Sequence, residues 1–403
     1  MRIFAASNVQ KMTEHILSLL YSLPMLTCAF LTAELLLAYY RDKQRPQAWL
    51  TLWACTATLL YMCHYLYFHH SYALLPLIDP LYTACNLAVF PFYLIYISQT
   101  TEPRPLSTRP QRMLLLSLPM LIGGAGTGLL YSLMNREETM QFLNTYLYEG
   151  SHAGLTGKAM TQALMHDAAR TMFALLVIIT AVAGIRMIRR YHQTVAQFYA
   201  DTDERRLHGV TSVLILLPLT AVASSVANIV GRNQFEDSWL IALPSVGFSI
   251  LLFFIGWAGL RQTFTIETLK QEMQLTEENV RQKAQTSPPI SESLSTSTSG
   301  PQTTNMLNEL ERLMKEERLF LTHDLRLQQV SQKLGTNRTY LLRMLNEELH
   351  MNFSEYINRQ RVAYAEELQE RMPHLQKAEI ALKSGYNSYH SYYRNWKMYR
   401  RNK

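Results

Sequence analysis

Two short helical stretches carry the side chains whose chemistry is most specific. The first stretch, 338–345, presents Arg338, Thr339 and Arg343. The second stretch, 389–397, presents an aromatic and basic set: Tyr389, His390, Tyr393, Arg394 and Lys397. An arginine can donate two parallel hydrogen bonds to O6 and N7 of guanine, and basic and hydroxyl groups also bind phosphates. These residues therefore predict contacts to base edges and phosphates in the major groove of DNA.

Each stretch is the second helix of a helix–glycine–helix pattern. In LRLQQVSQKLGTNRTYLLRML, Leu325 to Leu345, an apolar stripe precedes Gly335, and Asn337 can cap the helix that follows. The pattern returns around Gly385 in AEIALKSGYNSYHSYYRNWK, 378–397. The helical spacing assigns the following residues to the core: Val330, Leu334, Leu341, Leu345, Ile357, Ile380, Tyr386, Tyr392 and Trp396.

The polar half of the chain resembles a known family. Residues from about 305 to 398 are similar to the DNA-binding domain of the AraC/XylS transcription factors, in which a long helix joins two helix-turn-helix units. The resemblance rests on LGTNRTYLLRMLNEE (334–348), NFSEYINRQRVAYAEEL (352–368) and IALKSGYNSYHSYYRNWK (380–397). Three positions depart from the family pattern. Ser331 stands at a usual alanine, His350 at a common glycine and Leu342 at a frequent base-reading polar residue.

The resemblance implies that the second helix of each unit enters a major groove of promoter DNA. The residues expected to hold phosphates are Arg359, Arg361, Lys377, Lys397, Arg400, Arg401 and Lys403. Residues 324–403 hold fourteen Lys or Arg and eight Asp or Glu, so their net charge is 14 − 8 = +6. This charge suits an electrostatic contribution to DNA binding. A homodimer is expected, and RNA polymerase is a candidate further partner.

The other half of the chain is apolar. Residues 1–260 contain seven candidate membrane spans, at 16–40, 48–68, 73–98, 113–134, 168–188, 209–231 and 239–260. Each span approaches the ~20 apolar residues that cross a bilayer. The first span is too long for a cleaved signal peptide. We therefore predict an all-α chain, with a seven-helix transmembrane bundle followed by a cytoplasmic domain of two helix-turn-helix units joined by a long helix.

The basic residues of the loops predict the orientation. Lys and Arg concentrate in loops one, three and five, and cytoplasmic loops retain such residues. The N-terminus is therefore expected outside and the C-terminal half in the cytoplasm, where DNA is found. A multi-span half fused to this DNA-binding domain resembles the membrane-bound members of the family, which predicts the bacterial inner membrane as the location.

A few polar residues lie within the predicted spans. Glu34, His64 and Asp79 are costly in hydrocarbon, and His64 and Asp79 are expected at similar depth. They could form an outward-facing sensing pocket for a small-molecule or periplasmic ligand. Alternatively, they lie near the interface and satisfy each other. The four cysteines fall in apolar runs without metal-ligand spacing, so neither a metal nor another cofactor is predicted.

Two segments connect the halves. Residues 261–285 have apolar residues near heptad positions, which is compatible with a dimerising coiled coil or with a solvated helix. Residues 286–304 are rich in Ser, Thr and Pro and are expected to be a disordered linker. The predicted domains are thus a sensor at 1–260, these two segments, and a DNA-binding domain at 305–403.

The leading hypothesis is a membrane-anchored transcription regulator that couples an external or membrane-phase signal to promoter binding. The alternative is a transporter or membrane enzyme with a fused regulatory head. The chain has no HExxH motif, phosphate-binding glycine loop or nucleophile motif. We therefore expect that it is not an enzyme.

Overall fold

The computed structural model describes residues 2–69, 72–203, 205, 207, 209–211, 214, 239–262, 266, 268–269 and 301–400. These residues form helices and no β-strand, which confirms the predicted all-α class. They belong to two compact units. The first comprises Met1–Ile188 and Leu207–Ile266, and the second comprises Arg189–Arg206 and Glu267–Lys403.

Among the described residues, seven α-helices begin in the first unit. They are α1 (Arg2–Asp42), α2 (Arg45–Phe68), α3 (Leu75–Thr101), α4 (Pro110–Leu133), α5 (Arg136–Gln141), α6 (Gly157–Phe198) and α7 (Ala242–Leu260). A π-helix, Phe142–Tyr148, follows α5. Helix α1 packs against α2 and α7, and α3 packs against α2 and α4. The last ten residues of α6 belong to the second unit.

Within the described parts of the chain, five helical segments are long and apolar enough to cross a membrane, judged by length and composition. They are His15–Asp42, Leu75–Thr101, Pro110–Leu133, Gly157–Phe198 and Ala242–Leu260. These segments overlap five of the seven predicted spans. The predicted span 48–68 lies in α2, which is helical but is not among the five. The predicted span 209–231 lies outside the described residues apart from 209–211 and 214.

Helix α2 contains several hydroxyl side chains among its apolar residues. Thr51, Thr56 and Thr58 each donate a hydrogen bond to the carbonyl four residues earlier, at 2.8, 2.8 and 2.9 Å. A hydroxyl bonded within its own helix needs no partner from solvent. The polar composition of α2 is thus compatible with burial among apolar helices.

Helix α6 is much longer than the predicted span 168–188. Its 42 residues give a length of about 63 Å at 1.5 Å per residue, which is about twice the ~30 Å of a hydrocarbon core. Arg170 and Arg186 therefore lie inside a continuous helix and do not mark its ends.

The loop between α4 and α6 is folded. Asn135 caps α5, because its side-chain oxygen accepts from the Glu138 N–H at 2.8 Å and its own N–H donates to the Glu138 carboxylate at 3.0 Å. The π-helix that follows buries Phe142 and Tyr146 completely in an apolar cluster. This long loop is thus part of the core of the first unit.

In the part of the second unit that the structure describes, six α-helices pack together with the end of α6. They are α8 (Pro301–Lys315), α9 (Leu327–Lys333), α10 (Arg338–Glu347), α11 (Phe353–Arg371), α12 (Lys377–Lys383) and α13 (Tyr389–Arg400). Helix α8 begins at Pro301, inside the last residues of the predicted linker 286–304. The rest of that linker, 286–300, and most of the predicted juxtamembrane helix, 261–285, lie outside the described residues.

The long helix α11 is shared by two apolar cores. Its first half contributes Phe353 and Ile357 to a core with α8, α9 and α10. Its second half contributes Val362 and Ala365 to a core with α12 and α13. Of the residues that the sequence assigns to the core, Leu334 and Trp396 are half-buried, and the other seven are buried. The helical periodicity therefore located both cores.

A glycine with positive φ follows the first helix of each short pair. Gly335 has φ +63° and Gly385 has φ +85°. The Asn337 side chain then caps α10 by accepting from the Tyr340 N–H at 2.7 Å. At Gly385 an added Cβ would also lie 2.9 Å from backbone atoms of Phe320 and Leu321, whereas a Cβ added at Gly335 would meet no other atom within 4 Å.

The departures from the family sequence have local explanations. Ser331 is buried, and its hydroxyl donates to the Gln328 carbonyl at 2.9 Å. His350 has φ +51°, a left-handed conformation that glycine adopts at lower cost. Leu342 is half-buried and packs against the first core. This packing gives Leu342 a structural role.

Gly335 and Gly385 differ in the contacts that an alanine side chain would make. We expect Gly335→Ala to cost about 1 kcal/mol of stability, because only the left-handed backbone is strained. Gly385→Ala should cost more, because its Cβ would also contact backbone. Hydrogen exchange of α9–α13 in the detergent-solubilised full chain measures both. Equal losses of protection would contradict this account.

Candidate functional site

Helix α10 presents its predicted DNA contacts unequally. Thr339 and Arg343 are exposed, whereas Arg338 is half-buried. The Arg343 guanidinium lies 5.1 Å from the ring centre of Tyr340, and its Nε is 3.9 Å from a Glu347 carboxylate oxygen. An exposed ion pair of this kind contributes little energy. Arg343 can therefore exchange Glu347 for a base edge at low cost.

Helix α13 presents an aromatic surface beside basic groups. Tyr389 and Tyr393 are exposed, and their ring centres lie 5.9 Å apart. His390 and Lys397 are also exposed. Arg394 differs, because it is half-buried and forms an ion pair with Asp203. Four of the five predicted contacts on this helix thus face solvent, and the fifth is engaged by an acidic residue.

Arg361 corrects the sequence analysis, which assigned it to phosphate contact. Its side chain is completely buried, and its Nε and Nη2 donate to the carbonyls of Phe320 and Thr322 at 2.7 and 2.8 Å. The guanidinium also lies 5.4 Å from the ring centre of Tyr386. Burial lowers the pKa of Arg361 and raises the pKa of the Tyr386 hydroxyl. Arg361 therefore stabilises the second unit and is not available to a phosphate.

The remaining predicted phosphate contacts are accessible where the structure describes them. Arg359, Lys377, Lys397 and Arg400 are exposed. Arg359 forms a 2.8 Å ion pair with Glu355 within α11. Arg401 and Lys403 lie outside the described residues.

The segment after α6, residues 199–203 with Arg205, is built into the second unit. We name it the post-α6 segment. The Ala200 N–H donates to the Leu325 carbonyl at 2.9 Å. The Ala200 carbonyl accepts from the Ser354 hydroxyl at 2.9 Å and from the Asn358 amide at 2.8 Å. Ala200 is 1% exposed and belongs to the first core. The segment is thus held through its backbone.

Charged side chains attach the same segment at two further places. The Arg205 guanidinium lies 4.1 Å from the ring centre of Tyr199 and 3.4 Å from an Asp324 carboxylate oxygen. Asp203 pairs with Arg394 on α13. The sequence analysis used the basic residues of loop five, between the predicted spans 168–188 and 209–231, only as an orientation signal. Arg205 is one of them, and Asp203 was not considered. Their roles depend on contacts with residues more than 100 positions away, and nothing in their local sequence indicated these contacts.

The comparison with protein families found one match, within the second unit. Residues 330–401 match a family model described as a helix-turn-helix domain, of the AraC type. This similarity supports an AraC-type DNA-binding domain in these residues. Neither a curated protein nor a solved structure matches the chain. The matched residues cover helices α10 to α13 and most of α9, and they include all eight predicted DNA contacts.

The first unit contains a buried polar network around Asp79. One carboxylate oxygen of Asp79 accepts from the Tyr131 hydroxyl at 2.8 Å and lies 2.9 Å from His166 Nε2. His166 Nδ1 is 2.9 Å from the Gln162 carbonyl. A carbonyl only accepts, so Nδ1 carries a hydrogen, and the contact with Asp79 requires another. Asp79 and His166 therefore share a proton, in either the charged or the neutral form of the pair.

Two of the three predicted sensing residues lie together in the structure, and the third does not. His64 and Asp79 both line a small cavity of about 20 Å³. Glu34 is exposed on α1 and is not among the residues that line this cavity. The sequence analysis missed His166 as a partner of Asp79, because His166 precedes the predicted span 168–188. A helix pattern extended by two residues at its N-terminus would have included it.

Removing one member of the buried pair should be costly. We expect Asp79→Leu to lower the unfolding free energy of the solubilised full chain by about 3 kcal/mol, because His166 then lacks its partner. His166→Leu should also destabilise. The double variant Asp79→Leu/His166→Leu should recover part of the loss, because neither member of the pair is left alone, although the Tyr131 hydroxyl loses its acceptor. Thermal unfolding measures the cycle, and strictly additive losses would refute the coupling.

Proposed function

We propose that the chain is a membrane-anchored, sequence-specific DNA-binding transcription regulator that couples an external or membrane-phase signal to promoter binding. The observation that carries this proposal is the AraC-type domain at 330–401 in a chain whose preceding half contains five helices apolar enough to cross a membrane. A cytoplasmic location of this domain gives it access to promoter DNA.

The two short helix pairs are the two DNA-reading units of the proposal. Helices α10 and α13 are the recognition helices, and each enters a major groove. Arg343 reads guanine through two parallel hydrogen bonds, and Thr339 and the α13 residues contact neighbouring groups. Arg359, Lys377 and Arg400 bind phosphates, which positions the domain without reading sequence. Their exposed side chains support these roles.

The orientation of the proposal has two independent supports. Basic residues in loops one, three and five favour the cytoplasmic side for those loops. The post-α6 segment belongs to loop five, and it contacts the DNA-binding domain through Ala200 and Asp203. Two segments in contact lie on the same side of a membrane. Loop five and the DNA-binding domain are therefore assigned to the cytoplasm together.

The post-α6 segment is also the proposed coupling element. Helix α6 continues without interruption from an apolar segment to Phe198, directly before the segment that holds Arg394 through Asp203. Arg394 cannot keep this ion pair and also contact a base or phosphate. A signal that displaces the cytoplasmic end of α6 would free Arg394 for DNA. Within the predicted set of Glu34, His64 and Asp79, the proposed sensing pocket is the small cavity lined by His64 and Asp79, and Glu34 lies outside it.

The alternative function, a transporter with a regulatory head, has one specific observation in its favour. The proton shared by Asp79 and His166 lies among apolar helices, where such pairs are typical of proton relays. The two proposals differ in an accessible measurement. A proton flux into proteoliposomes that is lost in His166→Leu would favour the transporter.

Two arginine variants test whether Arg343 contacts a base and Arg359 contacts only phosphate. We expect Arg343→Ala to weaken binding to the preferred DNA about 10-fold to 100-fold and to relax sequence preference at one position. Arg359→Ala should weaken binding to all DNA sequences alike. It should also reduce by about one the number of ions released on binding, which is obtained from the salt dependence of the affinity. The experiment selects genomic fragments with the solubilised full chain at fixed salt. An unchanged sequence preference in Arg343→Ala would contradict the assignment of α10.

Substitution of Asp203 tests the proposed coupling between the end of α6 and DNA binding. We expect Asp203→Asn to raise DNA affinity about fivefold, the equivalent of about 1 kcal/mol for one ion pair, because Arg394 is released. Arg394→Ala should lower the affinity, and adding Asp203→Asn to it should change nothing further. Titration of DNA with the solubilised full chain measures the unaltered protein and all three variants. A loss of affinity in Asp203→Asn would rule out competition between the segment and DNA.

A further inference from the structure

Helix α13 carries a row of aromatic rings on its solvent face. Tyr389 and Tyr393 are 39% and 44% exposed, and their ring centres lie 5.9 Å apart. The Tyr393 ring in turn stacks on the Trp396 ring at 5.9 Å, with 26° between the two ring planes. Exposed apolar groups that lie together mark interaction sites, whereas single ones are ordinary. The row is therefore a candidate contact surface.

The row is supported by the core of the second helix pair. Trp396 is half-buried and packs against the core that contains Tyr392 of the same helix. The Arg400 guanidinium lies 4.9 Å from the centre of the Trp396 ring. The exposed Tyr393 ring thus rests on a ring that is itself held by the core. A side chain held in this way loses little freedom when it binds a partner.

Helices α10 and α13 differ at equivalent positions. The side chains of Asn337 and Ser388 cap α10 and α13, because each accepts from the N–H three residues later, at 2.7 and 3.2 Å. Counted from these caps, Tyr393 occupies the position of Leu342, which is half-buried against the first core. Helix α10 therefore presents an exposed guanidinium, that of Arg343, whereas α13 presents exposed rings.

The major groove offers an aromatic ring one apolar partner among the standard bases. Base edges there display hydrogen-bond donors and acceptors and, on thymine, the C5-methyl group. A ring packed onto a polar edge would remove that edge from water without replacing its hydrogen bonds, which is costly. The N-terminal residues of a recognition helix contact base edges, and Tyr389 and Tyr393 lie near the start of α13. The thymine methyl group is thus the matching partner.

We propose that Tyr389 and Tyr393 select thymine by packing their rings against its C5-methyl group. This inference rests on the proposed function, because it requires α13 to enter a major groove. The ring centres are 5.9 Å apart and base pairs stack about 3.4 Å apart, so the rings reach thymines within a run of about three base pairs. Exposed Lys397 and Arg400 lie farther along the helix and supply the charge that a DNA partner requires.

Replacement of thymine by deoxyuridine tests the proposal directly, because deoxyuridine pairs with adenine in the same way and lacks only the methyl group. The DNA is a genomic fragment that the solubilised full chain prefers at fixed salt, and each thymine is replaced in turn. Fluorescence anisotropy titration measures each affinity. We expect at least one replacement to weaken binding about fourfold, the equivalent of about 0.8 kcal/mol for one buried methyl group.

Four variants assign the methyl contact to the rings. Tyr393→Ala should bind the thymine and deoxyuridine duplexes alike at one position, whereas Tyr393→Phe keeps the ring and should keep the fourfold preference. Tyr389→Ala should remove the preference at a second thymine. Arg343→Ala is the matched control in α10, and it should lower the affinity but leave the thymine preference unchanged. Melting temperatures show that each variant is folded, and the comparison of duplexes with the unaltered protein needs no variant.

Two results would overturn this inference alone. The first is a set of preferred fragments that bind equally well with thymine or deoxyuridine at every position. The second is a thymine preference that survives in both Tyr389→Ala and Tyr393→Ala. If these variants also weakened binding to all duplexes alike, the rings would contact the phosphate backbone. The absence of any preferred fragment would refute the proposed function as well, so the two failures are distinguishable.

Discussion

The peptide of Ala200 is buried, and a buried peptide must have partners for both its N–H and its carbonyl. The second unit supplies them from Leu325, Ser354 and Asn358. This requirement makes the segment after α6 a part of the DNA-binding unit, although it lies more than 100 residues away in sequence. A fragment that begins at 305 would leave Ser354 and Asn358 without this partner. The DNA-binding surface and the end of α6 therefore form one folded body.

The second unit depends equally on the long helix α11. Its two halves belong to different apolar cores, and Arg361 lies between them with its guanidinium bonded to the carbonyls of Phe320 and Thr322. Gly385 brings the second helix pair against the same Phe320–Leu321 backbone. The two helix pairs are thus positioned by one helix and by one backbone segment. This arrangement gives the proposed recognition helices a defined spacing.

Sequence reasoning predicted the features that depend on local periodicity. The helix pairs, Gly335, Gly385 and the buried face of α10 all follow from spacing along one helix. Sequence reasoning failed for polar residues whose role depends on a partner far away in the sequence. Arg361 has the composition of a phosphate contact but lies in the core, and Asp79 bonds His166 and Tyr131. No local pattern distinguishes these cases, because burial depends on which helices pack together.

The central claim is that this chain binds specific DNA sites while it is anchored in a membrane. The most direct test is to determine which face of the membrane protects DNA. Sealed membrane vesicles carrying the full chain are prepared inside-out and right-side-out and are incubated with genomic DNA fragments. The account predicts that inside-out vesicles protect discrete sites and that right-side-out vesicles protect none. No protected site on either preparation, or protection by right-side-out vesicles alone, would contradict it.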